Sequence, residues 1–426
     1  MKYKYILLFF CLCMQLTAHS QTDFNNDIEA IEDKVIEWRR DIHEHPELSN
    51  REFKTAEKIS AHLNRLGLEV ETKVGKTGVV GILKGKNEGK TVGLRADIDA
   101  LPVTERNNLP FKSEVTTQFL GSETGVMHAC GHDTHTAILM GVAEVLSKHK
   151  DKINGTVKFI FQPAEEGAPP GEEGGAALMI KEGVLKNPDV DAIFGLHIDS
   201  EVPVGTITYK PEGIMAAVER FVINVQGKQT HGSQPWSGVD PVMISAKITD
   251  GLQTIISRES KLTDAAAVIT VGKISGGVRF NIIPETVEMI GTIRTLDPAM
   301  KELILRRMKE MVPALAEAYG AKASIEIENK TSITYNDIEL TEKMLPSLKK
   351  VAGNENVKLV KATTGGEDFS FFQEKVPGLY FFLGGKPLNS TEAAPHHTPD
   401  FYIDESGLVL GLKAMSQLAI DYLNQQ

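Results

Sequence analysis

Beyond its first twenty residues this chain has one cysteine, no obvious internal repeat and no apolar run long enough to span a membrane. A lone thiol cannot form an internal disulfide, so a disulfide framework is excluded and another use for it must be sought. A surplus of cations is also missing. Lys and Arg number 46 against 57 Asp and Glu in 426 residues, a net charge of −11. That balance argues against nucleic acid or an anionic membrane surface as partner. What remains is an ordinary globular composition, at a length that usually means two domains or one large one.

The other two cysteines, Cys11 and Cys13, fall in a predicted signal peptide, residues 1–20. Lys2 and Lys4 make a basic start, Ile6 to Leu16 is a short apolar core, and Ala18-His19-Ser20 resembles a small-x-small cleavage site. The short core disfavours an uncleaved anchor. Phe9, Phe10 and Leu12, in place of small residues before each cysteine, disfavour a lipoprotein. The mature chain is expected to be exported, periplasmic or secreted, with no membrane contact after cleavage.

From residue 21 to 214 strands and helices alternate. Ile28, Ile31, Val35, Trp38 and Ile42 recur at helical spacing, Pro46 breaks the run, and a second helix is predicted from Phe53 to Leu66. Strands are predicted at 78–83, 91–98, 156–162 and 192–197, the last ending on His197, with helices at 134–147 and 176–182. Gly167–Gly175 reads as a mobile loop, and Glu172-Glu173 within it as a solvated acidic pair. This order predicts an α/β fold, mainly a parallel sheet, whose ligands gather beyond the carboxyl ends of its strands. The style changes over 215–330. Strands at 218–226, 267–275, 286–294 and 323–328 and helices at 241–257 and 298–319 follow a β-α-β-β-α-β order, which fits an inserted ferredoxin-like unit. Pro313 is expected to kink or divide the second of those helices. Residues 331–426 return to the first style, with helices near 337–352 and 405–424.

The surviving cysteine lies in Met127-His128-Ala129-Cys130-Gly131-His132-Asp133-Thr134-His135. Cys130, His132, Glu166, His197 and His397 can together supply a metal site, and thiolate, imidazole and carboxylate suit zinc or another first-row divalent ion. Glu165 and Glu166 offer a division of labour: one carboxylate binds metal while its neighbour moves the proton of the attacking water. Adjacent residues on an extended strand point opposite ways, so a turn after Pro163 must bend the backbone. Asp97 and Asp99 share one face of a strand end. They either orient ligand imidazoles from behind or pair with Arg95. In the inserted unit, His231 can stabilise an oxyanion, and Asn281 with Arg279 or Arg294 suits a substrate carboxylate, although plain surface charge is the commoner outcome for such arginines.

These residues carry a resemblance. The runs RRDIHEHPELS (39–49), LRADIDALP (94–102), MHACGHDTHTA (127–137), FQPAEEG (161–167), GKQTHGSQPWSGVDP (227–241), NIIPE (281–285), GGEDFSFF (365–372) and HHTPDF (396–401) resemble, in order, the dinuclear-metal amidohydrolases that cleave N-acyl amino acids. Hippurate hydrolases and indole-acetyl-amino-acid hydrolases belong to that group, within the wider aminoacylase and carboxypeptidase family. The resemblance runs from Trp38 to the C-terminus. It implies a metallopeptidase-like catalytic domain (21–214 and 331–426) with an inserted dimerisation or lid domain (215–330). It implies two divalent ions per subunit, zinc first, with manganese, nickel or cobalt as alternatives. Cys130, His132, Glu166, His197 and His397 would be the ligands, with the Cys130 thiolate bridging. His397 is favoured over His396 by the His-Thr-Pro that follows the family's pattern. Glu165 would be the general base and acid. His231 would reach a partner subunit's active site in a homodimer. Asn281 and Arg294 would hold the substrate carboxylate, helped by backbone at Gly365-Gly366. The loop after Gly167 is longer than usual for the family, and Ser233-Gln234 replace small or apolar residues.

The resulting expectation is a metal-dependent amidohydrolase acting on N-acyl amino acids or small peptide-like amides with a free carboxylate. A dipeptidase or carboxypeptidase of the same fold is the near alternative. A non-catalytic periplasmic solute- or metal-binding protein is the distant one, and it has no need of Glu165 beside a ligand.

Overall fold

The computed structural model describes residues 25–424; the predicted leader lies outside the described residues. The chain forms two compact units. One takes the chain up to Tyr209, Asn336–Val360 and the stretch from Phe372 onward. The other takes Lys210–Tyr335 and Lys361–Phe371. Among the described residues no helix is long and apolar enough to cross a membrane.

The first unit is built on an eight-stranded sheet in the order Glu69–Val74, Gly78–Lys84, Asn154–Gln162, Asn87–Asp97, Ala192–Pro203, Gly378–Lys386, Ile207–Tyr209, Val357–Leu359. The four central strands run parallel, and the strand on either side of them, Gly78–Lys84 and Ile207–Tyr209, joins them antiparallel. Phe159, Ile160 and Phe161 are all buried, as are Leu379 to Leu383, so both faces of the sheet centre are covered. The covering helices are Glu32–Glu44, His132–Lys148 and Leu408–Leu423, whose apolar residues join one core with the strands. The Ala192–Pro203 strand does not end on His197 as predicted. It pairs with Asn87–Asp97 only as far as Arg95 opposite Gly195, then continues beside Gly378–Lys386. His197 therefore stands two residues past its strand's last pairing with Asn87–Asp97.

The second unit has a four-stranded antiparallel sheet ordered Ala267–Gly276, Thr286–Thr295, Ala217–Gln226, Lys322–Thr331. Helices Pro241–Thr254 and Pro298–Ala318 follow its first and third strands, which gives the β-α-β-β-α-β ferredoxin-like order. Each helix starts on an aspartate cap with proline as first helical residue: Asp240 accepts from Val242 N–H and Asp297 from Met300 N–H. Pro313 does not divide the second helix. It sits on the exposed side, while Met300, Ile304, Met308, Val312 and Ala316 form an unbroken buried stripe every four residues. Packing of that stripe outweighs the missing hydrogen bond.

A charged network lies buried in the first unit. Arg39 Nε is 2.7 Å from Asp133 Oδ2, and His43 Nδ1 is 2.9 Å from the same oxygen. His43 Nε2 faces Glu105 Oε1 at 3.2 Å. Burial pushes the Asp133 carboxyl up, but Arg39 and His43 overcome it and hold the group far below the usual carboxylate range. Removing one partner strands the others in low dielectric. Asp133→Ala should therefore cost about 3–5 kcal/mol, read by urea unfolding of the chelated protein at neutral pH. Because the folded value is depressed, this contribution is complete above the unfolded value of about 4 and fades as pH falls below it. Wild-type and variant curves should converge in acid; a constant difference down to pH 2 would contradict the assignment.

Candidate metal centre

Four segments meet beyond the carboxyl ends of the central strands. The first is Cys130-Gly131-His132, which opens the long helix. Gly131 has φ +94°, and a Cβ there would lie 2.3 Å from Ile198 Cγ2, so only glycine fits this left-handed turn against the neighbouring strand. The turn puts Cys130 and His132 on either side of one small space. The second segment is Pro163-Ala164-Glu165-Glu166. Ala164 has φ +54°, which supplies the predicted bend and lets both glutamates leave the strand end toward His132. Glu165 Oε2 and Glu166 Oε1 are 3.9 Å and 4.0 Å from His132 Nε2. The third segment brings His197 and the fourth His397. His397 Nε2 lies 3.3 Å from Cys130 Sγ and 3.1 Å from Glu166 Oε1. Its backbone, at φ +61°, donates to Ala129 O at 2.8 Å.

The donor atoms fall into two groups that share the thiol: Cys130, His132 and His197, and Cys130, Glu166 and His397. Within each group the donors lie within 4.8 Å of one another. His197 Nδ1–H donates to Ile198 O at 2.5 Å, which leaves Nε2 as a lone-pair donor 3.3 Å from Cys130 Sγ. His132 Nδ1–H donates to Asp99 Oδ1 at 3.2 Å, and its buried Nε2 has no hydrogen-bond partner among the described residues. An orphaned imidazole nitrogen facing a thiol and two carboxylates is the arrangement a divalent cation satisfies. Charge points the same way. Burial, then Glu166, Glu165 and Asp97, push the Cys130 thiol well above its ordinary value. Burial lowers His132, but Asp97 and Asp99 drive it up to about 10. The site carries more negative charge than its own residues neutralise, and the donor set fits two cations.

The two aspartates have different partners. Asp97 Oδ2 accepts from Arg95 Nη1 at 2.7 Å, and Oδ1 accepts from His135 Nδ1–H at 2.6 Å. Asp99 accepts from His132, from Ser49 Oγ at 2.7 Å and from the Glu166 N–H at 3.1 Å. His135 is committed on both sides, since its Nε2 accepts from Ile198 N–H at 2.8 Å. His396 Nε2 accepts from Ser200 N–H at 3.2 Å, so of the two adjacent histidines it is His397 that faces the thiol.

One residue that supports this arrangement has no signal in the sequence. Glu52 is fully buried; its Oε1 accepts from Ala164 N–H at 2.9 Å and its Oε2 from Thr77 Oγ at 2.5 Å. Burial and the charge of Asp99 raise its carboxyl to about 7. It pins the turn that carries Glu165 and Glu166. Glu172 lies at the surface, as read from sequence, and is also the centre of a clamp. It is 2.6 Å from Arg51 Nη2 and 2.5 Å from Lys76 Nζ, and it accepts from Asn50 Nδ2 at 3.1 Å. Arg51 first, then Lys76 and Asn50, lower its carboxyl to about 2. The loop after Gly167 is tied down through it.

The second unit presents its predicted residues separately. His231 is exposed, and its Nδ1 accepts from the Ser233 N–H at 3.1 Å and the Ser233 hydroxyl at 2.7 Å. With Nδ1 engaged as acceptor, Nε2 is the ring nitrogen left to donate. Arg294 Nη1 lies 3.5 Å from Thr364 O, beside Gly365-Gly366. A Cβ on Gly366 would sit 2.4 Å from Val218 Cγ2, so the backbone there packs too closely for any side chain. Asn281 Oδ1 is buried with no hydrogen-bond partner among the described residues. Arg279 lies beside the ring of Phe280.

The chain is similar to known proteins along most of its length. Residues 93–421 match peptidase family M20/M25/M40. The thermostable carboxypeptidase 2 of Saccharolobus solfataricus is 42% identical over 402 residues, covering 94% of this chain and 98% of that protein. The N-acetylcysteine deacetylase of Bacillus subtilis is 38% identical over 396 residues, covering 92% and 97%. The crystal structure of a dinuclear metal-binding M20 peptidase from Bacillus subtilis superposes with a TM-score of 0.78 at 36% identity, covering 93% of this chain and 100% of that one. A parallel-sheet catalytic fold with a clustered thiol, imidazoles and carboxylates, matched over most of its length, makes this chain a metal-dependent hydrolase belonging to peptidase family M20/M25/M40.

Proposed function

We propose that the protein hydrolyses the amide bond of N-acyl amino acids, or of small peptide-like amides with a free carboxylate, using two divalent ions held by Cys130, His132, Glu166, His197 and His397. The observation that carries this is the pair of donor groups sharing Cys130 with Glu165 beside them. Zinc suits the thiolate and imidazoles best, with manganese, nickel or cobalt as alternatives. Bound there, the ions supply Lewis acidity, polarising the scissile carbonyl and acidifying water. Glu165 takes the proton of the attacking water and delivers it to the departing amine. His231 offers its Nε2–H to the oxyanion, reaching the partner subunit's site in a homodimer. Asn281 and Arg294, with backbone at Gly365-Gly366, hold the substrate carboxylate. The unpaired edge strand Ala267–Gly276 and the almost fully exposed Val278 and Phe280 support a dimer through the second unit. The basic start, apolar core and Ala18-His19-Ser20 of the leader support export, periplasmic or secreted.

The first test is bound metal per subunit, with hydrolysis of a panel of N-acyl amino acids and dipeptides before and after chelation. Two equivalents, and activity lost on chelation and restored by zinc or manganese, are expected. Cleavage of dipeptides alone would favour the carboxypeptidase alternative, and metal without hydrolysis would favour a binding protein. Glu165→Gln should keep its metal and lose about 10²–10⁴-fold in kcat; surviving turnover would remove Glu165 as the base. Glu52→Ala should lower kcat about 10–100-fold with KM little changed, because it frees the Ala164 turn rather than a substrate contact. Metal loading should also release roughly two protons near neutral pH. The Cys130 thiol and His132 lie above their ordinary values, so both hold protons at pH 7 until a cation displaces them. An indicator-dye titration with no proton release would contradict these ligands.

A further inference from the structure

The histidines of the donor cluster are not supported alike. His132 opens a helix and His197 lies within a strand, and each ring is fixed by a hydrogen bond from its Nδ1. His397 is different. It stands in a stretch without helix or strand, residues 387–404, and 54% of its side chain is exposed. Such a stretch has no backbone ladder of its own, so what holds His397 beside Cys130 and Glu166 comes from neighbouring segments.

One of these is Glu105-Arg106-Asn107, which bonds to the stretch at three points. The Arg106 N–H donates to Pro399 O at 2.8 Å, the Arg106 guanidinium pairs with the Asp400 carboxylate, and Asn107 Nδ2 donates to Phe401 O at 2.7 Å. The two side-chain bonds are unequal. The Arg106 and Asp400 side chains are 63% and 57% exposed, and an ion pair so open to water holds little. Phe401 is fully buried, its ring 4.7 Å from that of His396, so its carbonyl is shielded from water and costly to leave without a donor. Asn107 is itself held from behind. The same Nδ2 donates to Glu105 Oε1 at 3.3 Å, and the buried Glu105 also bonds His43 Nε2 at 3.2 Å and the Ser113 N–H at 2.8 Å. His43 leads on to Asp133, the neighbour of His132. Both partners of the Asn107 amide are acceptors, so a nitrogen is required there and a carboxylate of the same shape would be repelled.

We infer that Asn107 is a positioning residue for the metal centre: by tying Phe401 O to Glu105 it fixes His397 beside Cys130 and Glu166, so that affinity for the cation on that side depends on it and affinity on the Cys130, His132 and His197 side does not. The inference rests on the reading of the cluster as a two-cation centre. The two donor groups then differ in construction. One stands on a helix and a strand, the other on a loop tied through a side-chain amide.

The test titrates the chelated full chain with zinc against a chromophoric chelator and resolves the equivalents by their dissociation constants. The wild type should take up two. Asn107→Ala should weaken one of them by about tenfold or more and leave the other within about twofold. Asn107→Asp, which keeps the shape and loses the donor, should behave like Asn107→Ala. Arg106→Ala keeps its N–H and should change neither equivalent by more than about threefold. The equivalent that stays tight also reports that each variant is folded. Two unchanged equivalents in Asn107→Ala, or two weakened alike, overturn the assignment, as does an Asn107→Asp that binds like the wild type. A loss in Arg106→Ala as large as in Asn107→Ala overturns it in favour of the ion pair. A wild type that takes up fewer than two ions overturns the two-cation reading and this inference with it, whereas two ions with no effect at Asn107 overturn the inference alone.

Discussion

Asp99 is the joint on which the site depends. One buried carboxylate accepts from Ser49 after the first helix, from the ring of His132 at the start of the long helix, and from the backbone of Glu166 at the end of a neighbouring strand. Three segments far apart in sequence are thereby fixed to one strand end. Burial raises the Asp99 carboxyl, but the hydrogen bond and charge of His132 overcome it and hold it below its usual range. An ionised group at that point gives His132 its tautomer, with Nε2 turned toward the thiol. Asp97 does the same service one step away, taking Arg95 on one oxygen and His135 on the other. The polar scaffold is satisfied by the protein itself, and what is left over is the ring of donors it surrounds.

That leftover charge explains an otherwise unfavourable arrangement. Two glutamates, a thiol and three imidazoles crowd a mostly buried space whose nearest cation, Arg95, is spent on Asp97. In such a place a thiol stays protonated and an imidazole holds its proton far above neutrality. Cations of higher charge resolve both at once by displacing those protons. The fold tolerates the crowding because the parallel strands beneath it are buried on both faces and tightly packed.

Much of this was legible in the sequence because chemistry-bearing residues sit where strands end. Asp97, Glu166 and His197 follow apolar runs, and Cys130 and His132 flank a glycine that nothing else could replace. The β-α-β-β-α-β order of the second unit was legible from its alternating strands and the two helices between them. The strand Gly378–Lys386 was not, since a run buried on both faces has no alternation, and its glycines read as breaks. Yet that strand holds Phe382 in register with His197 and so supports the site from the side. Pro313 misled in the opposite sense, because local propensity is blind to the buried stripe on the far side of the helix. Glu52 and Glu172 look like any surface glutamate. Their roles come from partners far along the chain, Ala164 for one and Lys76 for the other, and no local pattern announces such a pairing.

The two regions differ in how they feel the solvent. Asp99 and His132 are buried, whereas the bonds that tie down the loop after Gly167 lie at the surface, with half of the Arg51 side chain open to water. Dissolved salt weakens exposed pairs and leaves buried ones almost untouched. Rising ionic strength should therefore slacken the loop after Gly167 while the donor cluster keeps its shape, so that cleavage of the loop by an added protease should quicken with salinity while the buried joints stay closed.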